Sequence, residues 1–177
     1  MNWQSLEAPT WLSDAADDPK ECRRQWLVNP LMSQVLPTGR TFDVVSVHYR
    51  LGIETLSLLL MESSSSTCCP ALVDYASSRV AFLVPVESSD TIRAALREAG
   101  AVERVDYRYL GVGGFVVIAG PGAWSGNRYA WVKPPSGSWE ELNSAVGDLA
   151  TQLAAASKTV ASARAFGSCQ EAGESDD

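Results

Sequence analysis

The stretch that most constrains the fold is residues 106–131, DYRYLGVGGFVVIAGPGAWSGNRYAW. Alternation along an extended chain sends Asp106 and Arg108 to one face and Tyr107 and Tyr109 to the other. A glycine turn at 111–114 follows, and then Phe115-Val-Val-Ile-Ala119, which lacks alternation and reads as a strand covered on both sides. A loop rich in Gly, Pro, Ser and Asn leads to a last short aromatic strand over 129–132. A carboxylate, a guanidinium and a glycine bend gathered at one sheet position give this stretch the look of a site.

The residues that compose it also carry a resemblance. Asp106 and Arg108, the glycines Gly111, Gly113 and Gly114, the strand Phe115-Val116-Val117, then Pro121, Ser125-Gly126, Tyr129 and Trp131 follow one another in a particular order. That order resembles the last catalytic segment of the N-terminal domain of bifunctional DNA primase/polymerases. With its earlier segments the resemblance covers residues 31–136, and the chain looks most like short, stand-alone members of that family from high-GC bacteria. It implies an α/β (α+β) fold: a small, mostly antiparallel sheet with flanking helices, similar to an RNA-recognition-like core, plus a C-terminal helix. It also implies a pair of divalent ions joining a nucleotide's phosphate to a hydroxyl. Such ions are hard cations that prefer carboxylate oxygens, supplied in the family by an acid-x-acid pair on one strand face.

Laid on that pattern, the segment FDVVSVH places Ser46 and His48 where the two acids belong. Asp43 lies three residues before Ser46, so alternation turns it to the opposite face. A hydroxyl and a neutral imidazole do not hold magnesium as two carboxylates do. The position matching the family's nucleotide-binding histidine is Val80, after Ser77-Ser78-Arg79 and before a strand ending Val84-Pro85. Of the matched positions, Asp106 alone keeps its acid.

The resulting expectation is a catalytically degenerate domain with no catalytic residue and no metal or other cofactor; Mg or Mn enters only if the family activity survives. At most it binds nucleotide or single-stranded nucleic acid weakly, through Arg40, Arg79, Asp106, Arg108, Gly113 and Gly114. The glycine loop would offer backbone N–H groups to a phosphate, although it lacks the Lys and Ser/Thr of a P-loop. Arg108 pairing with Asp106 is the competing structural role. Two other readings stay open: an assembly module working through the C-terminal helix, as a homodimer or with a partner protein, and an active nucleotidyltransferase using His48 and Asp106.

Charge agrees with weak binding at best. The net charge is −7, while residues 31–136 hold nine basic and nine acidic side chains, so the acidity lies at the two ends. A broad nucleic-acid surface would show a basic excess. No apolar run approaches the 18 or so residues of a membrane span, and the N-terminus lacks a signal-peptide pattern; the expected location is the cytoplasm. Four cysteines without a CxxC, and one histidine, suggest free thiols rather than a zinc site.

The flanks read as follows. Residues 1–30 form an acidic, tryptophan-bearing segment with a helix from Pro19 to Val28, capped by Asp18 and stopped by Asn29-Pro30; Trp11, Trp26 and Leu27 should cover the sheet. A strand over 41–47, a helix over 52–61, a flexible serine loop at 62–67, and a hairpin of 71–75 and 80–86 come next. A helix over 91–99 capped by Asp90 and ended by Gly100 precedes the Asp106 strand. Residues 138–166 open with a capping box, Ser138 and Glu141. They then place Trp139, Leu142, Val146, Leu149, Leu153, Ala156 and Val160 at heptad spacing, to dock by the first half and leave the second freer. Residues 167–177 read as a disordered acidic tail.

Overall fold

In the computed structural model, residues 10–62, 69–124, 126–135 and 139–171 are described. Their helices are α1 (Thr10–Ser13), α2 (Pro19–Val28), α3 (Tyr49–Glu62), α4 (Ser89–Glu98) and α5 (Trp139–Glu171). Their strands are β1 (Gln34–Pro37), β2 (Asp43–His48), β3 (Ala71–Asp74), β4 (Arg79–Val84), β5 (Tyr107–Leu110), β6 (Phe115–Ile118) and β7 (Tyr129–Lys133). This is the mixed helix and antiparallel-sheet class that the sequence implies. Trp3, residues 63–67 of the serine loop, Cys68, Ser138 with its capping box, and residues from 172 onward lie outside the described set.

Five strands form one antiparallel sheet in the order β5-β2-β4-β3-β7, and β1 pairs with β6 in a separate two-stranded ribbon. The sheet's two faces carry different layers because apolar residues occupy both sides of its central strands. On the back, Val45, Val47, Val73, Val80, Phe82 and Val84 are buried against α3, α4 and α5. On the front, Val44, Leu72, Leu83 and Trp131 are buried with Leu12, Trp26, Leu36, Phe42 and Ile118. Residues of α1, α2 and the ribbon therefore roof one end of the front face and leave the other end open.

Local signals explain several elements. The carboxylate of Asp18 accepts the N–H of Glu21 at 3.0 Å, capping α2, and proline occupies its first turn. Trp26 is buried and its indole N–H donates to the Met32 carbonyl at 2.9 Å. Leu27, expected to cover the sheet, is instead 73% exposed, since its neighbour Trp26 takes the inward face of the helix. Helix α4 starts two residues before the expected point. Its N-cap is Ser88, whose hydroxyl donates to Pro85, so Asp90 lies within the first turn rather than capping it. Gly100 follows α4 at φ +60°, the left-handed conformation that ends a helix.

Two strand readings change. The run 115–118 is not covered on both sides: it pairs only with β1, Phe115 is 64% exposed, and of its four residues Ile118 alone is fully buried. Its apolar run lines a ribbon lying over the sheet instead of a central strand. Helix α5 does dock by its first half, burying Val146, Leu149, Leu153 and Ala156 against α3 and α4. It continues to Glu171, past the point where the acidic tail was expected to leave it. Among the described residues no helix is long and apolar enough to cross a membrane.

Candidate functional site

The open end of the front face is built from alternate residues of five strands. Ser46 and His48 of β2 share that face with Arg79 and Ala81 of β4, and the cross-strand pairs are Ser46 with Ala81 and His48 with Arg79. On the other side of β2, Arg108 of β5 stands opposite Ser46. From β3 and β7 come Leu72, Asp74 and Tyr129. A cleft of about 170 Å³ opens here beneath Phe115, Val116 and Val117 of the ribbon, floored by Val44, Leu72, Ala81 and Leu110. Its rim is polar: Ser46, Arg79, Ser77, Asp74 and Tyr129.

Arg79 is the fixed charge of this rim. Its Nε donates to the Ser46 hydroxyl at 2.8 Å and its Nη2 to the Ser46 carbonyl at 2.6 Å, so one residue grips both arms of the guanidinium. Partial burial lowers the pKa of Arg79, and the nearby Arg108 charge lowers it further, against an opposing pull from Asp106. Those three charges are therefore close enough to sense one another. Across the rim, burial of Asp74 would raise its pKa. Hydrogen bonds from Ser77, Arg128 and the Ala76 N–H outweigh this and hold the carboxyl below its ordinary value.

The predicted site residues separate into those the fold gathers and those it disperses. Ser46, His48, Arg79 and Arg108 share one face, and Asp106 stands immediately before β5, outside the strand and exposed. Among the described residues no ion pair joins Asp106 to Arg108, so the competing structural role for Arg108 is not realised. Val80 is fully buried on the back, packed under α3, because alternation within β4 gives the front position to its neighbour Arg79. The side chain presented beside Ser46 is therefore an arginine.

Arg40 is turned away to the N-terminal segment, where it pairs with Asp17 at 2.7 Å and donates to the Ala15 carbonyl. The glycine turn does not offer its inner N–H to a ligand. Gly114 N–H donates to the Gly111 carbonyl, its own carbonyl accepts from Thr38 N–H, and the Thr38 hydroxyl donates to Gly111. Any side chain at 114 would stand 2.6 Å from the Thr38 hydroxyl, and one at Gly39, with φ +85°, would stand 2.5 Å from the Val112 Cα. The glycines thus interlock two turns, and that is a structural use. Gly113, at φ +81°, has open space around it.

Sequence reasoning missed Asp74, Ser77 and Phe115 as rim and roof residues. It also gave no role to the cluster behind the site, in which Tyr109 OH and Glu87 N–H donate to the buried carboxylate of Asp43. Burial, the Asp43 hydrogen bond and its charge push the Tyr109 phenol well above the usual tyrosine range. Knowledge that Asp43 and Tyr109 share the back face was available from alternation; the β2–β5 pairing that makes them neighbours was not.

A two-metal centre needs several oxygen donors converging without a competing cation. Here Ser46 Oγ already accepts from a guanidinium, and His48 is exposed with its Nδ1 only 3.4 Å from the Arg50 N–H; of the two carboxylates, Asp74 already accepts from Arg128 and the Ala76 N–H, and Asp106 stands at the edge. Among the described residues no group of three or more His, Cys, Asp or Glu side chains converges. These residues do not fit a pair of divalent ions.

A family model described as bifunctional DNA primase/polymerase, N-terminal, matches residues 5–148. No curated protein and no solved structure matches the chain.

Proposed function

The chain belongs to the bifunctional DNA primase/polymerase N-terminal family, and on that premise we propose that this member holds a nucleotide or a single-stranded nucleic-acid end without joining nucleotides. The observation that carries the reading is the Arg79–Ser46 fork, in which a cation occupies the serine that stands in the cleft where the family pattern places an acid. Nucleotidyl transfer relies on divalent ions to neutralise charge between the phosphate and the attacking hydroxyl. A serine committed to a guanidinium and an exposed histidine supply no such grip. What the site retains is a shallow apolar slot with cationic groups at its mouth, which suits a ring and a phosphate.

The test is incorporation of labelled deoxynucleotides on a primed template, with Mg²⁺ and with Mn²⁺. The expected result is no product above an enzyme-free control. Template-dependent extension would overturn the reading and favour the active enzyme using His48 and Asp106. Assembly through α5 has less to support it, since the apolar stripe from Val146 to Ala156 is spent within the domain. A partner would have to use the helix beyond Val160.

A further inference from the structure

The mismatch between this donor set and divalent metal has a consequence for what the cleft accepts. Two arginines flank Ser46 on one face, Arg108 opposite it on β5 and Arg79 bonded to it from β4. The bonds from Arg79 to Ser46 use part of its fork and fix its plane, and among the described residues no hydrogen bond takes up the remaining N–H groups at the rim. Preorganised guanidinium groups bind phosphate oxygens by charge-assisted, often bidentate hydrogen bonds. In the same cleft, the floor of Val44, Leu72, Ala81 and Leu110 is apolar. At about 170 Å³ it is smaller than the roughly 300 Å³ at which sites for whole drug-sized molecules begin, so it takes one ring rather than a whole nucleotide.

We propose that the cleft binds a nucleoside polyphosphate as the free anion, with Arg79 and Arg108 in place of metal, and that divalent cations weaken binding. This rests on the binding reading above and adds its metal dependence. The physical reason is competition for the same charge. A magnesium-complexed polyphosphate has already lost part of its negative charge, and the bound ion would meet two guanidinium groups, with Asp106 exposed at the edge and the rim carboxylate of Asp74 already taken up by Arg128 and the 76–77 turn. In an ordinary member of a metal-dependent family the sign is reversed, because the metal bridges ligand and protein.

Calorimetric titration of the whole protein with dATP, in EDTA and then in excess Mg²⁺, tests this. Binding in EDTA that falls on adding Mg²⁺ is expected. Arg108→Ala, at an exposed position, should weaken the EDTA affinity about tenfold or more, the loss of one charge-assisted contact. Ser46→Asp should also weaken it, by placing a carboxylate on Arg79, with circular dichroism checking that the variant folds. Binding that appears only with metal, or tightens with it, would overturn the inference while leaving nucleotide binding intact. Absence of binding in both buffers would overturn the binding reading itself.

Discussion

A buried carboxylate beside a half-buried phenol gives the molecule a pH response set by single residues. Asp43 is nearly inaccessible, one of its oxygens accepts from Tyr109 OH and Glu87 N–H, and the other has no hydrogen-bond partner among the described residues. The phenol's pKa is raised on folding by burial first and by Asp43 second. A group raised in this way contributes its full stabilisation below its unfolded value, about pH 10 for tyrosine, and loses it as pH climbs through the folded value. In urea denaturation, the wild type should therefore lose stability relative to Tyr109→Phe above about pH 10, with the difference constant below that. A difference flat to about pH 11 would show that Tyr109 ionises at its ordinary value. Single residues also mark the limit of what was legible here. Ser46 and His48 could be placed on one face by counting. Val80 was chosen by motif alignment, and counting one residue back along its strand would have selected Arg79 for the front.

At the level of elements, the contact of α3 with β4 is the tightest feature of the back layer. A Cβ at Gly52 would stand 2.4 Å from the Cβ of Val80, a distance real structures do not tolerate. Alanine gains about 1 kcal/mol of helix propensity over glycine. Overpacking a fully buried valine costs about 1–3 kcal/mol and here outweighs that gain. Gly52→Ala should thus lower the urea midpoint despite improving the helix. Val80→Ala alone should also destabilise, by leaving a void, and the double variant should recover about 1 kcal/mol or more relative to the sum of the two. Additive losses would mean that the helix simply moves away. Helices α2 and α4 were legible because caps, prolines and apolar periods are local signals. Strand β1 was not, because Gln34–Pro37 has no meaning until Phe115–Ile118 arrives to pair with it from some 80 positions later. The same dependence on a distant partner made β6 look like a central strand.

Considered whole, the molecule is acidic, with a net charge of −7, and the sheet face that holds the cleft carries two basic side chains beside Ser46, Arg79 in the cleft rim and Arg108 on the adjoining strand, for the proposed contact with a strand of nucleic acid. Each phosphate neutralised on a single strand contributes about −0.7 to the log–log slope of affinity against salt, so about −1.4 is expected here. Anisotropy of a labelled oligodeoxythymidine across a salt series measures it. A slope steeper than about −3 would place a larger basic surface elsewhere on the protein. The layered architecture was foreseeable from the apolar strands and the heptad helix. Which side chains meet across the sheet was not, since strand order and register depend on pairings no local pattern encodes. Helix α5 has a further bearing, on how the protein is made. Every strand has been synthesised once Lys133 is added, yet Val73, Phe82 and Leu96 then still lack the residues from Ala145 to Ala156 that seal them. A growing chain on the ribosome must therefore carry a back layer of sheet, α3 and α4 that is only partly sealed until that late helix emerges, and during this interval it is most exposed to aggregation and to chaperone capture.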